Sequence, residues 1–179
     1  MIFITTALEG AFIIDLERRQ DARGSFARTF CVEEFAAHGL NPRVAQCNVS
    51  ANHRRGTLRG MHWQAAPRAE AKLVRVTRGA VADVIVDLRP RSATYLEHLM
   101  VELTHESGRA LYVPEGFAHG FQTLADETDV FYQMTEMYAA ECARGARWND
   151  PAFRIAWPLP DPILSERDRG YPDLSASAG

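Results

Sequence analysis

Cysteine is scarce in this chain: Cys31, Cys47 and Cys142 are the only three, widely spaced and without a C-x-x-C pair. An odd count at such spacings argues against a disulfide framework or a zinc site and favours a reducing compartment. Long apolar runs are also missing. The most hydrophobic stretch, Ala80 to Leu88, is interrupted by Asp83 and Asp87, so no segment reads as a bilayer span. The opening Met1-Ile2-Phe3-Ile4-Thr5 has neither a basic segment nor a long apolar core, unlike a signal peptide. A cytoplasmic location is expected. Charge of one sign is not in large excess either. The net charge is −3, which gives no general reason to bind nucleic acid or an anionic membrane surface. An anionic ligand would need a local cluster of basic groups.

What is present is ordinary for a globular protein: 46% apolar and 24% charged residues over 179 positions, enough for a sizeable core. The expectation is a single domain, residues 1–179, with no internal repeat or linker. Strand signals dominate. In Val81–Leu88, Ala82, Val84 and Val86 alternate with Asp83, Ile85 and Asp87, the period of a β-strand. Further candidates are Gly10–Asp15, Ser25–Phe30, Arg43–Asn52, Thr57–Gln64, Lys72–Arg78, Leu96–Leu103, Ala110–Val113, Gly120–Leu124 and Asp129–Thr135. Turn residues fit between them, as in Arg78-Gly79 and Pro114-Glu115-Gly116. Only Val32–His38, stopped by Gly39, reads as helix. Many short strands with regular turns predict an all-β sandwich or barrel. Trp157–Tyr171 is expected to wrap the surface, and Ser175–Gly179 to form a frayed tail.

The densest chemistry lies in Arg59-Gly60-Met61-His62-Trp63-Gln64, with Lys72-Leu73-Val74-Arg75-Val76 shortly after. These segments read as neighbouring strands carrying an arginine, a histidine and a lysine. A histidine can move a proton near neutral pH, and a lysine can stabilise an oxyanion. Together they suit proton abstraction beside a carbonyl. A lone histidine is more often a satisfied core residue, and a strand-end lysine more often reaches solvent. The company each keeps here favours chemistry. Lys72 is expected to share a face with Val74 and Val76. A lysine inside a barrel needs an anionic partner, and an enolate would serve.

Several motifs recur in order and at compatible spacings: Arg23-Gly24, Gln46-x-Asn48, Arg59-Gly60-x-His62-x-Gln64, Lys72-Leu73-Val74, Pro114-x-Gly116-Phe117-Ala118-His119-Gly120-Phe121 and Trp148-Asn149-Asp150-Pro151. In these the chain resembles the dTDP-4-dehydrorhamnose 3,5-epimerases from roughly residue 2 to 173. The resemblance implies a cupin-type jelly-roll β-barrel with a few short helices. It also implies a homodimer with exchanged N-terminal strands, no metal or organic cofactor, and a nucleotide-diphosphate keto-sugar substrate.

Epimerisation beside a ketone needs a base, a group to hold the enolate oxygen, and an acid on the opposite face. The resemblance assigns the base to His62, oriented by Asp168 in Ser165-Glu166-Arg167-Asp168. It assigns enolate stabilisation to Lys72, with help from His119, and proton return to Tyr132. Tyr132 faces the lumen if Phe131 faces the other way; Tyr138 is the second candidate. Arg23, Phe26, Gln46, Asn48, Arg59 and Arg167 are the further substrate-binding positions. Arginine suits a diphosphate by charge and forked geometry.

The pattern is not complete. Arg28 and Ala143 stand where the resembling family usually has glutamates, Arg167 where it has lysine, and Gln133 where lysine is common. Another nucleotide, such as cytidine or guanosine diphosphate, therefore stays open, as does inversion at one centre rather than two. So does 3,4-ketoisomerisation. A metal-dependent cupin is a rival because Pro114-x-Gly116-x-x-His119 resembles a metal motif. The expected companion histidine is absent, and Gln64 and Lys72 stand there instead; a charged ammonium offers no lone pair to a cation. A non-catalytic sugar-nucleotide-binding barrel is a rival of another class.

Overall fold

The computed structural model describes residues 1–174; the expected tail, residues 175–179, lies outside the described residues. In chain order the elements are β1 (Ile2–Thr5), β2 (Phe12–Asp15), β3 (Arg19–Asp21), β4 (Gly24–Phe26), α1 (Val32–Ala37), β5 (Gln46–Asn52), β6 (Leu58–Gln64) and β7 (Lys72–Arg78). There follow β8 (Ala80–Asp87), β9 (His98–Thr104), β10 (Ala110–Val113), β11 (Phe117–Thr123), β12 (Thr128–Met134), β13 (Ala143–Gly145) and α2 (Glu166–Arg169). Two antiparallel sheets face each other. One runs β1-β2-β10-β7-β12-β5, the other β13-β6-β11-β8-β9. This is the all-β cupin-type jelly roll, with two short helices.

The core lies where the inner faces meet. Val74 and Val76 of β7 and Val130 of β12 pack against Val81 and Ile85 of β8 and Phe121 of β11. Strand alternation sends Leu73 to the other side of β7, where it packs under α1 with Phe35 and Tyr112. The six-residue α1 is held by burying Phe35, against which Phe3 and Phe30 pack, and it stops at Gly39, whose φ of +71° is left-handed.

β8 alternates as its sequence predicts, but both of its faces are covered. Val84 and Val86 pack on the outer side against Met61, Ala146 and Phe153. The segment after β13 supplies that cover. Trp157 donates its indole N–H to the Trp148 carbonyl at 2.9 Å. The Gln122 amide donates to the Leu159 carbonyl at 3.0 Å and accepts from the Leu159 N–H at 2.9 Å. The wrapping expected of residues 157–171 therefore has a direction: it crosses the β6–β11–β8 face and delivers α2 to the end of β6.

Three strands carry no clear sequence signal. β1 and β13 are edge strands, and β3 pairs with β4 alone in a small exposed hairpin. The Ser25–Phe30 candidate shrinks to β4 because its partner β3 is only three residues long and Arg19 opposite Phe26 is the last pair; the turn between them is held by the Asp21 carboxylate, which accepts the Arg23 N–H at 2.8 Å. An N-terminal strand expected to be exchanged pairs here within its own chain, β1 against β2.

Candidate active site

A cavity of about 500 Å³ opens at one end of the barrel. Its walls come from β5, β6, β7, β11, β12 and β13, closed on one side by α2. Arg59, His62, Lys72, His119, Tyr132, Asn48, Arg167 and Asp168 all line it.

Local structure explains each placement. His62 and His119 are paired residues on neighbouring strands β6 and β11, so their rings share the inner face. Arg59 lies three residues from His62, which in a regular strand would put it on the opposite face. The β6–β11 register shifts between His119 and Phe121, and this irregularity resets the alternation, so both side chains reach the cavity. Gly60 and Gly120 face each other there. A Cβ on Gly60 would fall 2.6 Å from the Gly120 Cα. Arg59 is held by donating its Nε–H to Asn52 Oδ1 at 2.8 Å.

His62 Nε2 sits 2.6 Å from Asp168 Oδ1. Asp168 is 6% exposed at its side chain, His62 36%. Ser165 caps α2 by accepting the Asp168 backbone N–H at 3.1 Å, which fixes where that carboxylate starts. Burial alone would raise the Asp168 carboxyl. The hydrogen bond and charge of His62, with smaller help from Ser165 and Arg167, hold it below its ordinary value. Tyr171 packs edge-on against the His62 ring at 5.7 Å, and its hydroxyl accepts from Arg167 Nε at 2.7 Å.

Tyr132 lies opposite Asn48 on the neighbouring strand and packs against the inner core, so Phe131 does face away. Burial pushes its hydroxyl far above the ordinary tyrosine value. The Asp83 charge adds to this, and Arg59 and Ser50 oppose it. The phenol is therefore firmly protonated. His119, 5% exposed, directs Nε2 at both oxygens of the fully buried Asp83, each at 3.0 Å. Its ring meets that of Tyr132 edge-on at 6.1 Å.

Lys72 opens β7 on the inner face, above Val74 and Val76. Its anionic partner is a protein group. Lys72 Nζ lies 3.3 Å from Glu70 Oε1, and both side chains are 8% exposed. The sequence offered an enolate as a suitable anion; the structure already supplies one from the protein.

Asp83 and Glu70 escaped the sequence reading. Asp83 looked like one of the alternating polar residues of β8, and only the β8–β11 register puts it beside His119. Glu70 sits just before the Lys72 strand and carried no motif. Tyr171 and Arg144, the latter lining the cavity, were also missed. Three expected binding residues lie elsewhere. Arg23 and Phe26 stand on the β3–β4 hairpin, and neither lines the cavity; the Phe26 side is 74% exposed, and the Arg23 guanidinium is paired with Asp21. Gln46 lies one step beyond the wall. It accepts from Asn48 at 3.3 Å and donates to the Glu136 carbonyl at 2.9 Å.

Among the described residues no group of three or more His, Cys, Asp or Glu side chains is arranged to hold a metal ion. The family model described as dTDP-4-dehydrorhamnose 3,5-epimerase matches residues 5–176.

The chain belongs to the dTDP-4-dehydrorhamnose 3,5-epimerase family.

A dTDP-4-dehydrorhamnose 3,5-epimerase of Methanothermobacter thermautotrophicus is 47% identical over 175 residues, 96% of this chain and 94% of that one. A dTDP-4-dehydrorhamnose 3-epimerase of Streptomyces niveus is 40% identical, covering 90% of this chain and 78% of its own. The crystal structure of the Bacillus anthracis 3,5-epimerase with TDP and pyrophosphate bound superposes with a TM-score of 0.94 at 39% identity, over 97% of this chain and 99% of that one. The positions expected from the sequence to depart from the family's pattern have these places in the fold. Ala143 lies on β13 at the cavity wall, Arg167 on α2, and Arg28 outside the cavity, paired with Glu34 at 2.9 Å. Gln133 faces away with its neighbour Leu73.

Proposed function

We propose that this chain epimerises a nucleotide-linked 4-keto-6-deoxyhexose at C3, C5 or both, without metal or organic cofactor, as a single unit over its whole length. The substrate that its relatives' names favour is dTDP-4-dehydro-6-deoxyglucose, converted to dTDP-4-dehydrorhamnose. The observation that carries the reading is the His62–Asp168 pair inside the same cavity as Lys72 and Tyr132.

The steps follow from the groups. An Nε2–H donated to Asp168 leaves the His62 lone pair on Nδ1, ready to take the proton beside the ketone. Asp168 steadies the imidazolium that results. The electron pair moves onto the ketone oxygen, where Lys72, with His119, holds the enolate. Tyr132 returns a proton to carbon from the other face. Arg59 and Arg167, with Arg144 beside them, meet the diphosphate, and Asn48 the nucleoside side.

We further propose a cytoplasmic homodimer. In it the β3–β4 hairpin of one copy, with Arg23 and Phe26, reaches the partner's cavity. Exposed Ile2, Ile4 and Phe26 in the N-terminal strands support those strands as a contact surface, and sedimentation at twice the chain mass would be its first sign. Among the described residues no helix is long and apolar enough to cross a membrane. The reaction is tested by incubating the protein in heavy water with dTDP-4-keto-6-deoxyglucose and its CDP and GDP counterparts. NMR of the products reports which nucleotide is accepted, which carbons exchange, and whether the ketone migrates. No deuterium uptake with any of them would leave a binding barrel.

A further inference from the structure

Glu70 is a buried carboxylate at the cavity wall with one partner, the Lys72 ammonium at 3.3 Å. Its second oxygen, Oε2, is buried with no hydrogen-bond partner among the described residues. Burying a carboxylate costs several kcal/mol, and a carboxylate kept mainly for folding normally has both oxygens satisfied. This one is tied to the cavity lysine and nothing else. Lysine has a long, freely rotating stem and three donors on its nitrogen. The ion pair with Glu70 restrains that stem by charge and leaves donors on the nitrogen for an oxygen in the cavity.

We propose that Glu70 is a positioning residue: it holds the Lys72 ammonium in place at the cavity wall before substrate arrives, so that Lys72 meets the enolate oxygen without reorganising. The inference rests on the role given to Lys72 above. Preorganised charge is worth more in the transition state than charge that must be gathered during the reaction. Loss of Glu70 should therefore appear in turnover rather than in substrate affinity.

The test uses Glu70→Gln, which keeps the volume and removes the charge, alone and in a Lys72→Ala background, with Glu70→Asp as a second charged variant. Deuterium incorporation beside the ketone is followed by NMR over long incubations, and each variant is checked for a cooperative thermal transition. Glu70→Gln is expected to lower kcat about ten- to hundredfold with KM within about threefold of the parent. Glu70→Asp should retain more turnover than Glu70→Gln. In the Lys72→Ala background the Glu70 change should cost less than about twofold, because a residue that acts through Lys72 has nothing left to act on. Unchanged kcat in Glu70→Gln overturns the inference. So does the same loss in both backgrounds, which would make Glu70 a direct substrate contact or a support of the fold. A parent protein that exchanges no deuterium with any substrate overturns the functional reading itself, and this inference with it.

Discussion

At the scale of single residues, the site was legible where its chemistry is contiguous and illegible where it depends on pairing. His62 and Lys72 stand out because basic residues sit within strongly β-forming sequence. Asp168 lies 106 positions from His62, and nothing local marks it as that ring's partner. It was reachable only through resemblance. Asp83 and Glu70 were invisible for the same reason, since an acidic residue in a strand or before one reads as solvated until a register is known. The residue whose role is most open to test is Tyr132. If it returns the proton on the face opposite His62, then Tyr132→Phe separates two events that the parent couples. In heavy water the substrate should still gain deuterium through His62, while the inverted product should fall about a hundred- to ten-thousandfold. Product stereochemistry read by NMR decides this, and undiminished inversion would remove Tyr132 from the reaction.

At the scale of elements, alternation predicted most strands to within a few residues, because strands such as β7 and β8 carry Val or Ile at alternate positions, as in Val74 and Val76 or Val84 and Val86. It failed where alternation itself breaks. The irregularity in β6–β11 brings Arg59 and His62 to one face, and two glycines make room for it. Gly60 has φ of +143°, and a methyl there would run into Gly120. Gly60→Ala is expected to lower stability by about 1–3 kcal/mol. A thermal transition shifted downward checks this, and an unshifted one would mean that β6 and β11 can part without cost.

A second element-level device is the turn after β8. Asp87, fully buried, accepts from the Arg89 backbone and guanidinium and from the Ser92 and Thr94 hydroxyls. Burial would raise its carboxyl, but these donors hold it well below the ordinary value of 3.8. A carboxyl whose folded value is depressed contributes stability that is fully present above its unfolded value and is lost as pH falls through the folded one. Asp87→Asn should therefore cost about 1–3 kcal/mol at neutral pH. The gap between variant and parent should narrow as pH falls below 3.8. Urea unfolding at neutral and acidic pH measures both, and a gap independent of pH would show that the charge of Asp87 is not what the turn uses.

At the scale of the whole molecule, composition and turn spacing were enough for an all-β barrel or sandwich, but not for which strands are neighbours. β10 lies between β2 and β7, and β12 between β7 and β5. These are long-range pairings without a local signature, and the jelly roll was legible only because several motifs occur in the family's order. The cavity is a product of that topology: strands from both sheets and a helix from the far end of the chain meet at one mouth. The account's central claim is that the His62–Asp168 pair at that mouth removes a proton beside the substrate's ketone. The most direct measurement is the initial rate of deuterium incorporation next to the ketone in heavy water, on one nucleotide keto-sugar, by the parent and by folded His62→Ala. The account predicts rapid incorporation by the parent and a loss of about a hundred- to ten-thousandfold in the variant. Equal rates in the two proteins would contradict it.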